Sequence, residues 1–166
     1  LVDVFKIQSQ DIVIVGRTDG AQDLHFVGRL AGLVVTTNRL SRTAARCLFS
    51  RGEQMLPAVL AECSQGVPSD LSLNLFGDPV SGVADLSGNG RSAVVHGSTS
   101  ITSEGTAFNG VADYATIANF EYATDARFSV SLWVKKTSCT GNMYEYLYSH
   151  QHDTTAQWDS SSYVLL

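Results

Sequence analysis

From Phe128 to Lys136 the chain alternates strictly. Phe128, Val130, Leu132 and Val134 share one parity, and Ser129, Ser131, Trp133 and Lys135 share the other. A period of two predicts a strand with one buried face. Shorter β-branched runs at 2–7 and 11–16 flank the polar Gln8-Ser9-Gln10 and predict a hairpin. Residues 17–23 carry Asp19-Gly20 and predict a turn, and 25–37 predict the next strand region. Gly28 and Gly32 interrupt that region, which predicts bulges or close backbone approaches. Ser41 is placed to cap a short helix running to about Ser50, with Ala44, Cys47 and Leu48 at helical spacing. Residues 52–70 hold two of the three prolines and read as a connector with one short helix. LSLNLF at 71–76 predicts a strand. The Gly- and Ser-rich stretch that follows Val83 predicts a loop.

AVVHG is strand-like, and two short apolar strands are expected between the loop and the alternating strand. After the alternating strand, 137–143 predicts a loop and 144–151 another strand. There Tyr144, Tyr146 and Tyr148 fall on one parity, and Glu145, Leu147 and Ser149 on the other. Residues 151–162 are polar and loop-like, and 163–166 begin a last strand.

The run Ala84-Asp85-Leu86-Ser87-Gly88-Asn89-Gly90 is followed by a strand of small residues. Then come Ala107-Phe108-Asn109-Gly110-Val111-Ala112-Asp113-Tyr114 and the alternating strand. Over 83–136 this order resembles the first half of laminin-G-like domains, the concanavalin A-like jelly rolls. Residues 25–53 resemble the end of such a domain, similar in particular to the laminin-G-like tail of calsyntenins. The resemblance implies an all-β, antiparallel two-sheet jelly-roll sandwich. It also implies an extracellular or cell-surface protein that recognises protein or glycan ligands. The expected division is 1–51 as the end of one unit, 52–70 as connector, and 71–166 as the start of a second. The two parts can alternatively close one permuted sandwich, which requires LAGLVV to pair with strands after Leu71.

Composition narrows the classes. With 44% hydrophobic and 16% charged residues the chain has a globular composition rather than a disordered one. A net charge of -5 argues against nucleic acid as a partner, and no apolar run is long enough to span a bilayer. The absence of an initiator Met and of a leader suggests an internal piece of a longer chain, with neighbouring domains as partners. Cys47, Cys63 and Cys139 fit no metal spacing. A Cys47–Cys63 bridge, with Cys139 paired elsewhere or free, and three buried thiols are both open. There is no Asn-x-Ser/Thr acceptor for glycosylation.

The main candidate for chemistry is Asp85-x-Ser87-x-Asn89-Gly90. Short oxygen side chains at alternate positions before a glycine suit half a calcium loop, although His96 stands where an EF-hand needs Glu. The family resemblance makes Asp85, Asn89 and Asp113 the expected ligands and calcium the expected cofactor. The same residues equally fit a turn whose side chains cap backbone groups. Gly88-x-Gly90-x-x-Ala93 lacks the strand and helix of a dinucleotide site. His150, His152 and Asp153 fit a metal site or an exposed strand end, and His25 and His96 read as structural or solvated. Tyr144, Tyr146 and Tyr148, with Trp133 and Trp158, suit either a sugar-stacking platform or core. Glu53, Glu62, Glu104, Glu121 and Glu145 form no pair of the glycosidase kind, so a non-enzyme is expected. The functional expectation is a recognition or adhesion module. The alternatives are a carbohydrate-binding module appended to a secreted enzyme, or a spacer without ligand.

Overall fold

The computed structural model describes residues 12–16, 25–36, 39–52, 62–63, 71–73, 83–118, 129–138, 145–151 and 162–165. Their dominant structure is strand, with antiparallel pairing throughout and one helix of ten residues. The strands are β1 (Ile12–Val15), β2 (Val27–Thr36), β3 (Leu71–Leu73), β4 (Val94–His96), β5 (Ser100–Thr102), β6 (Gly105–Asn109), β7 (Tyr114–Ala118), β8 (Ser129–Lys136), β9 (Tyr146–Gln151) and β10 (Ser162–Leu165). The helix α1 is Arg42–Arg51.

The first sheet has the order β10-β9-β1-β7-β4. The second runs β3-β2-β6-β5, with β8 also on β2. Residues 28–30 of β2 pair with both β6 and β8, and residues 34–35 pair with both β3 and β8. A strand has two edges, so β8 occupies one whole edge of β2 while β6 and β3 divide the other. LAGLVV therefore pairs with strands on the far side of residue 70, the pairing that a single permuted sandwich requires. The strands that precede residue 52 sit inside both sheets, so the expected division at 52–70 does not separate one sheet from the other.

β1 corrects one expectation. Ile12–Val15 pair on one edge with β7 and on the other with β9, residue for residue. No edge is left for a hairpin with 2–7, which lie outside the described residues. The stretch GTAFNGVADYATI carries the chain from one sheet to the other. It is two strands in different sheets, β6 and β7, turning a corner at residues 110–113.

The register between β2 and β8 slips by one residue between Ala31 and Val34. Ala31 faces Trp133, yet Val34 faces Ser131, so β2 carries an extra residue there. Gly32 lies in that bulge with φ of 55°, a backbone conformation that suits glycine. Gly28 serves close approach instead, because a Cβ there would meet the Lys135 carbonyl oxygen at 2.4 Å. Both glycine expectations hold, one as bulge and one as contact.

One hydrophobic cluster takes side chains from both sheets. Val15, Ala115, Ile117, Leu147 and Tyr148 come from the first, and Leu30, Leu33, Val35 and Phe108 from the second. Val130, Leu132 and Val134 of β8 pack against it, as their shared parity predicts. A smaller cluster lies on the other face of β2, where Val34 meets Leu48 of α1 and Cys63.

Replacing Leu30, which is fully buried, with Ala is expected to cost about 2–5 kcal/mol of stability, read by denaturant unfolding. Phe49→Ala at an exposed helix position serves as the comparison and should cost much less.

Candidate functional site

The outward face of β2 and β8 has two halves. Over the first lies α1, which forms where the sequence places it. Ser41 is the N-cap, and its Oγ accepts the Ala44 N–H at 3.0 Å. Ala44 and Leu48 are buried beneath the helix. Cys47 is bonded to Cys63, and Arg51 pairs with Glu62 beside it. Ser129 Oγ accepts the Leu40 N–H at 3.1 Å, which fixes the approach to the helix. Of the open cysteine alternatives the bridge is the one present, and Cys139 lies outside the described residues.

The second half is open. Ala31 faces Trp133 and Arg29 faces Lys135 across the strand pair, so all four share the outward face. Phe49 of α1 stacks on Trp133, with centroids 5.4 Å apart and planes 19° from parallel. Phe49 remains 72% exposed. Directly opposed cations repel on a sheet, and Glu104 from the β5–β6 turn offsets this. Its Oε2 pairs with Arg29 and, at 3.3 Å, with Lys135 Nζ. Arg29, Ala31, Glu104, Trp133, Val134 and Lys135 line a shallow depression of about 150 Å³. That is smaller than a typical pocket for a drug-sized ligand, so it suits one ring or one side chain. Its formal charge is positive, two cations against one carboxylate.

The expected calcium residues hold turns. Asp85 Oδ1 accepts the Ser87 N–H and Oδ2 the Arg91 N–H, both at 2.9 Å. Asn89 donates from Nδ2 to Ser87 Oγ at 3.0 Å. Asp113 is 2% exposed. Its Oδ1 accepts the Ser98 N–H at 2.6 Å and its Oδ2 the Asn109 N–H at 3.0 Å. Each of the four carboxylate oxygens thus holds a backbone amide, the turn-capping arrangement. Among the described residues no three His, Cys, Asp or Glu side chains converge as a metal group. A calcium ion on Asp85 would compete with the amides that close its loop.

The remaining candidates are dispersed. Tyr148 is fully buried in the core, whereas Tyr146 is half-buried. Val164 pairs with Tyr148 and Leu165 with Tyr146, so Leu147 is an extra residue that β10 skips. The irregularity explains why adjacent Leu147 and Tyr148 both enter the core. Tyr144, Trp158, His152, Asp153, Glu53 and Glu121 lie outside the described residues, as does the side chain of His150. Glu145 is 2% exposed, and its carboxylate pairs with Lys136 at 3.1 Å. His96 stacks on Tyr114 and its Nε2 lies 2.9 Å from Thr116 Oγ1, while His25 is buried.

Sequence reasoning grouped Trp133 with tyrosines and missed Phe49, Arg29 and Lys135. Parity alone puts Trp133 and Lys135 together; the helix partner carries no such signal. No family model, curated protein or solved structure matches this chain.

Asp113→Ala would strand two backbone amides and is expected to cost about 1–3 kcal/mol in thermal or denaturant unfolding. Asp85→Ala should lower the melting temperature by the same amount with and without added calcium, since the lost contacts are to the backbone. Reduction of Cys47–Cys63 should cost about 3 kcal/mol, given its separation of 16 residues. Tryptophan fluorescence would follow the loss of Phe49 from Trp133.

Proposed function

We propose that this chain is a non-catalytic recognition module of the jelly-roll sandwich type. In this reading its two sheets close one permuted sandwich, and its ligand-binding surface is the open outward face of β2 and β8. The observation that carries the proposal is the exposed Phe49–Trp133 stack set beside the Arg29–Glu104–Lys135 cluster. Flat aromatic faces bind the apolar faces of sugar rings and side chains, and the adjacent cations add polar contacts. The ligand class is protein or glycan, on the cell surface or outside the cell. The Cys47–Cys63 bridge supports that setting, since such bonds persist in oxidising compartments.

A carbohydrate-binding module is the reading that Trp133 alone would favour. A glycan array and a cell-surface capture assay on the folded chain separate the two, because only the carbohydrate module requires sugar affinity. Trp133→Ala is expected to weaken whichever binding is found by roughly thirtyfold, the equivalent of a 2 kcal/mol anchor. Binding that survives Trp133→Ala intact would move the surface elsewhere, and absence of any ligand would favour a spacer.

A further inference from the structure

The sequence contains two Asn-Gly pairs, Asn89-Gly90 and Asn109-Gly110. This dipeptide is prone to an intramolecular reaction, because glycine puts no side chain in the way of its own nitrogen. The glycine nitrogen, losing its proton, bonds to the asparagine Cγ, and as the bond from Cγ to the side-chain nitrogen breaks that nitrogen takes up one proton and leaves as ammonia. The product is a five-membered succinimide. Water then opens the ring at either carbonyl, giving aspartate or isoaspartate. No oxidant or reductant is required.

We propose that Asn89 is a self-modifying position, converted through a succinimide to aspartyl and isoaspartyl forms, while the fold holds Asn109 unreacted. Asn89 is exposed in the loop between Val83 and Ala93, outside the sheets. A Cβ on Gly90 would meet nothing within 4 Å, so the space in which the ring must form is open. Ser87 Oγ lies 3.0 Å from Asn89 Nδ2, the atom that departs, and places a hydroxyl where ammonia is released. The Ser87–Asn89 bonds belong to the loop itself, so breaking them disturbs no strand.

Asn109 has the same neighbour and a different setting. It is the last residue of β6 and pairs with Val27 of β2. Its N–H donates to buried Asp113, and its Oδ1 accepts the Val111 and Ala112 amides at 2.8 and 3.2 Å. Drawing its Cγ back onto the Gly110 nitrogen gives up those bonds and the corner between β6 and β7. The Asn89 product has a mechanical effect as well. Isoaspartate adds a main-chain carbon between Ser87 and Arg91, the span that Asp85 closes with both carboxylate oxygens. It also puts a second carboxylate into the Asp85 loop.

The test ages the folded chain at mildly alkaline pH and maps the products by peptide mass spectrometry. An isoaspartyl-specific carboxyl methyltransferase with labelled S-adenosylmethionine serves as the probe. Asn89 should convert at least about tenfold faster than Asn109, the ratio implied by one or two lost hydrogen bonds. In denaturant the two sites should react at similar rates, and Asn89→Gln should remove most of the methyl label from the folded chain. Equal conversion in the folded chain, earlier conversion of Asn109, or an intact Asn89 after the denatured chain has reacted would overturn the proposal. So would a rate difference that persists in denaturant, because the fold would then not be its cause.

Discussion

The one-residue slip in the pairing of β2 with β8 is the constraint on which the rest depends. A strand of period two cannot put both Leu30 and Leu33 on one face. The bulge at Gly32 supplies the extra residue, so Leu30, Leu33 and Val35 all reach the main core. The same slip turns Val34 outward, where Leu48 and Cys63 cover it. Without the bulge, Leu33 and Val35 would face α1 while Val34 entered the core. One glycine thus lets β2 serve two hydrophobic clusters, and the near-continuous burial of its residues follows from that.

The bulge also decides what is left open. Up to Val34 the outward face is roofed by α1, held by the Cys47–Cys63 bridge and the Arg51–Glu62 pair. On the other side of the slip the face carries Ala31, Trp133, Arg29 and Lys135. From the last turn of the helix Phe49 reaches over Trp133 and stacks on it. The result is an aromatic shelf at the helix margin, followed by a charged strip balanced by Glu104. A single exposed apolar side chain is ordinary, whereas adjoining exposed aromatic faces form a patch of the kind that marks interaction sites. That is the physical ground for reading the shelf as a recognition surface.

How much of this was legible in the sequence depends on distance along the chain. The β8 face, the Ser41 cap and the buried residues of α1 follow from neighbours a few positions apart, and the structure places them there. Gly28 and Gly32 announced irregularity, though not which would be the bulge. The partners of β1 lie at 115–118 and 148–151, and no local pattern points to them. The corner at 110–113 was hidden for a related reason. Asp113 fixes it by bonding to Ser98 and Asn109, and a carboxylate in a sequence does not reveal whether it will meet an amide or an ion. The same ambiguity holds for Asp85, whose carboxylate accepts the Ser87 and Arg91 amides.

The interleaving of the two parts bears on how the surface is made. Arg29 and Ala31 come from before the connector, and Glu104, Trp133 and Lys135 from after it. Each sheet likewise takes an inner strand from the first part and all its other described strands from the second. Neither part can bury the main core by itself, because Leu30, Leu33 and Val35 pack against side chains of β7 and β9. Such long-range pairing carries a loop-closure cost before any contact repays it, which favours slow, all-or-none assembly. The stretch 83–136 therefore supplies only part of the surface, and Arg29, Ala31 and Phe49 complete it. Trp133 acquires Phe49 and Arg29 as neighbours only when α1 and β2 have docked, so the face exists only in the completed fold.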